Sequence, residues 1–248
     1  MVMAIELIFF LAAIQGFTEF LPVSSSAHLA LIPALTGAAD QGLFIDVAAH
    51  VGSLLAVMWH YRARVAQLLT FRDRGLMAKL ALSFLPVLAL GVFISPPRGV
   101  AVIAINSIVF GIILWLADRY GKSGRNVSLS TAFVAGLAQV VALIPGVSRS
   151  GITISAMRAR GIGRAEALDF AFLMSMPAIA AAGGWELIHA IKSPQAVNWG
   201  AAGLTMAISA VFSLMAIRFM LGFVRRFSFA GFSVYRVILG AALLLFFV

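Results

Sequence analysis

Cysteine is absent from the 248 residues, which removes any disulfide framework and any thiol chemistry. Acid is scarce as well: nine Asp and Glu stand against 18 Lys and Arg, and charged residues make up only 11% of the chain. A soluble domain carries roughly a quarter of its residues as charges. No polar stretch here is long enough to fold as a separate soluble domain. Hydrocarbon takes the place of charge, with 62% of residues apolar. Such a composition points to an all-α integral membrane protein. At about 20 residues per crossing, the length suits roughly six to eight membrane segments. The net charge of +9 does not argue for a nucleic-acid partner. The cations sit in short clusters between apolar runs, as membrane proteins mark their cytoplasmic loops. The first apolar run, Ala4 to Ile14, lacks the basic start of a cleaved signal peptide and is read as part of the mature protein.

Apolar runs cover 42–60, 77–95, 100–117, 167–190, 198–222 and 232–248. Each is expected to cross the bilayer. Two further regions, 4–35 and 131–156, are apolar but interrupted. The first breaks at Pro22 and the serines after it. The second breaks at "PGVSRSG", Pro145 to Gly151. Proline ends a helix locally and frees backbone groups that need partners. Broken backbone at membrane depth survives only inside protein or beside water. Both regions therefore read as re-entrant helical hairpins. Cations fill loops 61–79, 118–130 and 157–166 and follow the 198–222 run, whereas 36–41, 96–99 and 191–197 have few. With the rich loops inside, six spans alternate correctly, the first hairpin enters from outside and the second from inside. Each half then reads hairpin, span, span, span in opposite orientation. This is one membrane domain, 1–248, made of an inverted-topology repeat of approximately 1–125 and 126–248. "PVSSS" in one half answers "PGVSRS" in the other. Inverted repeats with broken helices place functional sites where the halves meet, so both polar turns should face one pocket.

The segment "EFLPVSSSAHL", Glu19 to Leu29, concentrates polar chemistry inside hydrocarbon. Gln15 and Glu19, four apart, share one helix face. Ser24, Ser25 and Ser26 would start the outgoing helix, and a helix start offers free N–H groups to a phosphate. His28 lies one turn further on. The other hairpin supplies Ser148, Arg149 and Ser150, again at a helix start. Arginine grips phosphate through a planar two-point fork, and at membrane depth it calls for a partner. Together these groups offer an acid or base, hydroxyls, an imidazole and a guanidinium, the parts that phosphoryl transfer requires. The plainer reading makes the serines helix caps and Glu19–Arg149 a buried ion pair. His50 and Asp46, also four apart, either line the pocket or form a packed polar pair. His60 and His189 sit at span ends and read as interfacial, Glu6 as solvated. Glu166 and Asp169 are expected to pair with arginines on the inner side.

"QGFTEFLPVSSSAH" and "PGVSRSGITIS" resemble the two signature segments of the undecaprenyl-diphosphatase family, also called bacitracin-resistance proteins. The likeness runs on through "AHVGSLLAV", "LPVLALG" and "SMPAIAAAG". The resemblance implies an enzyme of the bacterial inner (plasma) membrane that removes the terminal phosphate of a polyprenyl diphosphate lipid at the periplasmic, outer face. It implies a divalent metal, Mg2+ or Ca2+, held by Glu19 and Gln15. By position Ser25 matches the serine proposed as nucleophile, His28 the motif histidine and Arg149 the phosphate-binding arginine. Ser24, Ser26, Ser148 and Ser150 are the accompanying phosphate-binding candidates. Gln15 falls where the family has Glu or Gln, so one candidate metal carboxylate is missing here. Ser25 and His28 both stay open as the attacking group, and a homodimer stays open too. Two rivals remain. "SSSAH" and "SR" are similar to membrane phosphatidic-acid phosphatases, but no histidine follows Arg149 until His189. A polyprenyl-phosphate lipid carrier, or flippase, could use the same midplane pocket without chemistry.

Overall fold

The computed structural model describes residues 5–36, 42–94, 99–192 and 198–248. The helices are α1 (Ile5–Phe20), α2 (Ser25–Thr36), α3 (Leu43–His60), α4 (Arg62–Leu69), α5 (Arg74–Leu90), α6 (Val100–Tyr120), α7 (Leu129–Val141), α8 (Arg149–Ala159), α9 (Arg164–Lys192), α10 (Trp199–Phe223) and α11 (Ala230–Phe247). No strand occurs among the described residues. The chain is all-helical, and α6, α9, α10 and α11 are long and apolar enough to cross a membrane. Leucine, alanine and isoleucine dominate these helices and turn large side chains such as Ile105, Trp115, Val211 and Ile238 outward, as a lipid-facing surface requires.

Helices are found where the six apolar runs were expected, with adjusted ends. α5 is 17 residues long and stops at Leu90 in a short 3-10 turn, Gly91–Phe93, rather than running to 95. It carries Arg74 and Lys79 in its first two turns, which trims its apolar length. α4 was not anticipated: loop 61–79 contains a short helix with no buried residue. The cation-poor loops 36–41, 96–99 and 191–197 fall largely outside the described residues.

Both interrupted regions break where proline and serine predicted. α1 ends at Phe20 and α2 begins at Ser25, with Ser24 at φ 75° between them. α7 ends at Val141 and α8 begins at Arg149, with Gly146 at φ 88° and Ser148 at φ 69°. A left-handed backbone is costly for a residue with a Cβ, so a serine persists there only where its surroundings fix it. Gly146 has an added reason to be glycine: a Cβ on it would run into the backbone of Ile103 on α6.

The first helix of each broken region packs on a helix from the other half of the chain. α1 lies on α10, and α7 lies on α5. In both cases a glycine permits the approach: Gly16 sits against the Ser209 carbonyl and Gly136 against the Ser83 carbonyl. Small residues at a helix crossing let backbones close on each other in lipid, where no hydrophobic force drives association. Ser213 adds a hydrogen bond to the Gly16 carbonyl, 3.0 Å, and another to Ser53 on α3, 2.9 Å.

One end of the bundle is closed by buried charge. Arg158 donates to Asp118 at 3.1 Å and to the carbonyls of Gly121 and Ile162, both at 2.7 Å. Asp118 also accepts from Arg164, 2.7 Å, and from the Phe229 N–H, 3.0 Å. Cation-rich loops 118–130 and 157–166 therefore share one end of the molecule. Asp169 pairs with Arg64 as expected. Glu166 pairs with no arginine among the described residues; it accepts the N–H of Val127 at 2.8 Å, because that loop end needs an acceptor.

Candidate functional site

The two turns are in direct contact. Ser150 donates to the Leu21 carbonyl at 2.9 Å, and the Gly146 N–H reaches Ser26 Oγ at 3.4 Å. Glu19 stands at their junction, 8% exposed. Arg149 Nη2 donates to Glu19 Oε1 at 2.6 Å, while its Nη1 donates to the Ala171 carbonyl on α9 at 3.2 Å. On the other oxygen, Glu19 Oε2 accepts from Gln15 Nε2 at 2.9 Å and from Ser25 Oγ at 3.0 Å. Four of the residues singled out by sequence, Gln15, Glu19, Ser25 and Arg149, thus form one connected group. A buried carboxylate needs such company, since desolvation of an unpaired charge costs several kcal/mol.

Four other sequence candidates serve the turns themselves. Ser24 and Ser26 hydroxyls are 3.1 Å apart, and those of Ser148 and Ser150 are 3.3 Å apart. Ser148 Oγ also accepts the Gly151 N–H at 3.2 Å, a cap on α8. Ser24, Ser148 and Ser150 are buried, whereas Ser25 is half-buried and Ser26 exposed. His28 is not hydrogen-bonded into the Glu19 group. Its Nδ1 lies 2.7 Å from the Ser24 carbonyl and its Nε2 lies 2.6 Å from the Tyr235 hydroxyl on α11.

The structure brings in residues that sequence reading underweighted or missed. His50 Nε2 lies 3.6 Å from Glu19 Oε2, and its Nδ1 faces the Asp46 carbonyl at 2.8 Å. That carbonyl only accepts, so Nδ1 carries a proton and Nε2 is the nitrogen presented to Glu19. The pocket reading of His50 is the one realised. Arg236 on α11 is fully buried and has no carboxylate partner among the described residues. Its Nη2 donates to the Gly146 carbonyl at 2.9 Å and the Val147 carbonyl at 2.8 Å, holding the turn that leads into Arg149. A cation inside the 232–248 run was the available signal for it. Tyr235 carried no such signal.

This arrangement can bind an anion and move a proton. A guanidinium has five N–H donors; Arg149 spends two on Glu19 and Ala171, and the rest remain for phosphate oxygens. Among the described residues no three His, Asp or Glu side chains cluster as a cation cage. Mg2+ and Ca2+ bound beside phosphates need less: one or two carboxylate or amide oxygens, with water and phosphate supplying the rest. Glu19 provides the carboxylate. Gln15 must turn its N–H2 toward Glu19, which leaves Gln15 Oε1 as a buried acceptor without a partner among the described residues. An unsatisfied buried oxygen next to a carboxylate fits a hard cation.

The family described as bacitracin resistance protein BacA matches residues 8–242. Relatives are similar over nearly their whole length. An undecaprenyl-diphosphatase of Teredinibacter turnerae is 42% identical, covering 94% of this chain and 96% of its own. One from Campylobacter concisus is 40% identical over 99% and 100%, and one from Roseobacter denitrificans is 45% identical over 95% and 96%. The chain belongs to the BacA family. As a BacA protein it is an integral membrane protein, in keeping with its four long apolar helices. Both signature segments that sequence reading singled out lie inside the matched region, and it is their contact that assembles the Glu19 group.

Proposed function

We propose that the chain is a membrane phosphatase that hydrolyses undecaprenyl diphosphate to undecaprenyl phosphate and inorganic phosphate, returning the lipid carrier to cell-wall synthesis. The observation that carries this reading is the Arg149–Glu19–Ser25 chain of hydrogen bonds across the two turns, in a chain whose full-length relatives are undecaprenyl-diphosphatases. Arg149 holds the terminal phosphate. Glu19 takes the Ser25 proton as Ser25 Oγ attacks phosphorus. The new P–O bond replaces the anhydride bond, and undecaprenyl phosphate leaves. Water then cleaves the phosphoserine and frees phosphate. A nucleophile already hydrogen-bonded to its base favours Ser25 over His28 as the attacking group. His28 serves as proton carrier on the other edge of the turns. A divalent ion, held by Glu19 and Gln15, would neutralise phosphate charge that one arginine leaves over.

The proposed architecture is six crossings and two re-entrant hairpins in an inverted repeat of about 1–125 and 126–248, within one membrane domain. Three observations support it. Each outgoing hairpin helix starts after a serine at positive φ, Ser24 or Ser148. Each such serine touches the hydroxyl two residues on. The hairpins exchange partners between halves, α1 with α10 and α7 with α5. With the cation-rich end cytoplasmic, the site opens to the periplasmic face of the inner membrane.

Phosphate release by the purified protein tests the reading, measured on long and short polyprenyl diphosphates with and without chelator. Release from the long substrate that falls on chelation is expected. Lipid binding with no phosphate release would sink the phosphatase and favour a lipid carrier.

A further inference from the structure

We propose that Tyr235 is a positioning residue for His28, fixing its ring orientation, while the Ser24 carbonyl sets the tautomer and leaves Nε2 as the nitrogen through which it exchanges a proton. The inference rests on the reading of His28 as a proton carrier. It starts from two hydrogen bonds. The Ser24 carbonyl, 2.7 Å from Nδ1, can only accept, so Nδ1 carries hydrogen. In the neutral ring Nε2 is then a lone pair, and the Tyr235 hydroxyl at 2.6 Å must donate to it. Free imidazole has no such constraint. The rings also lie nearly parallel, 7° apart with centroids 5.7 Å apart, so Tyr235 limits rotation of the imidazole.

Both partners of His28 are themselves held. Ser24 sits at φ 75° in a buried turn. Tyr235 precedes Arg236, which anchors α11 to the Gly146 and Val147 carbonyls of the other turn. His28 is therefore suspended between the first turn and a helix locked to the second. When His28 gains a proton at Nε2, the bond reverses: N–H donates to the Tyr235 oxygen, whose O–H is released to face outward. Tyr235 is 43% exposed, so its side chain is not enclosed by protein. A proton arriving at Nε2 thus becomes a donor presented by Tyr235, with charge and atoms conserved.

Among the described residues, the charged groups on neighbouring elements are engaged or placed elsewhere. Glu19 on α1 is engaged by Arg149, Ser25 and Gln15. Glu6, at the far end of α1, is exposed. On α6, Asp118 holds Arg158 and Arg164 at the opposite end of the bundle, where the exposed Arg119 also lies. Arg236 on α11 turns to backbone carbonyls. Among the described residues, Tyr235 is accordingly the one side chain placed to govern Nε2.

The test combines kinetics with nitrogen NMR on histidine-labelled protein in lipid nanodiscs. Tyr235→Phe removes only the hydroxyl. The expected result is a kcat loss of roughly ten- to a hundredfold with KM little changed, as for a misplaced catalytic group. His28→Ala should lose more, and Tyr235→Phe should add little in that background, since residues acting as a unit are non-additive. In the parent, NMR should show His28 protonated at Nδ1 with a hydrogen-bonded Nε2 lone pair; Tyr235→Phe should keep the Nδ1 proton and lose the hydrogen-bond signature at Nε2. An equal loss from Tyr235→Phe in both backgrounds would overturn the positioning role and leave His28 standing. An unaltered His28 signature in Tyr235→Phe would overturn it as well. Parental activity in His28→Ala would instead remove the reading of His28 on which the inference rests.

Discussion

Glu19 is the residue at which two distant pieces of sequence become one site. Its two oxygens collect Arg149 from the second turn and Gln15 and Ser25 from the first. This group was legible because polar side chains in hydrocarbon are so costly that each demands a reason. His50, Tyr235 and Arg236 were not equally legible. They arrive through the packing of α3 and α11, and no spacing along the chain encodes that proximity. Gln15 offers a test at this scale. Gln15→Glu would place a second carboxylate beside Glu19, where the amide now donates. A divalent ion bound there should then hold more tightly. The cation concentration for half-maximal phosphate release is expected to fall about tenfold, the equivalent of about 1.4 kcal/mol. A cation requirement unchanged by the substitution would place the ion away from Gln15.

Helix breaks were the most readable elements. Pro22 with its serines and Pro145 with Gly146 interrupt apolar runs where the backbone does turn. α4 was hidden, because its arginines mark a loop by charge while Arg, Gln and Leu are also good helix formers. Which helices would touch was hidden too, since glycine and serine stripes for crossings look like ordinary apolar sequence. Gly16 makes the packing of α1 on α10 testable. A Cβ there meets the Ser209 backbone, so Gly16→Ala should destabilise by about 1–3 kcal/mol. Gly222 in the same bundle has open space, and Gly222→Ala should be neutral or slightly stabilising. Thermal unfolding of the purified protein in detergent reads both. Equal melting of Gly16→Ala and the parent would contradict the close crossing.

For the whole molecule, charge placement predicts the way in. Loops 118–130 and 157–166 meet at one end, tied by Arg158 and Asp118. With that end cytoplasmic, the turn at Ser25 should open outward. The cysteine-free chain allows single-cysteine probes. Ser26 and Ser123 are both exposed, whereas Ala27 is fully buried and unsuitable. Ser26→Cys should react with an impermeant thiol reagent added outside, and Ser123→Cys only after the membrane is opened. The reverse pattern would invert the orientation and move the reaction to the inner face. The account as a whole turns on a phosphate held by Arg149 where the two turns meet. Its most direct measurement is the initial rate of phosphate release from undecaprenyl diphosphate by Arg149→Lys against the parent. Lysine keeps the charge but has neither the planar fork nor the reach to bridge Glu19, Ala171 and a phosphate. A loss of roughly a hundredfold or more in kcat/KM, with the protein still folded, is the predicted result. A rate near the parent's would contradict it.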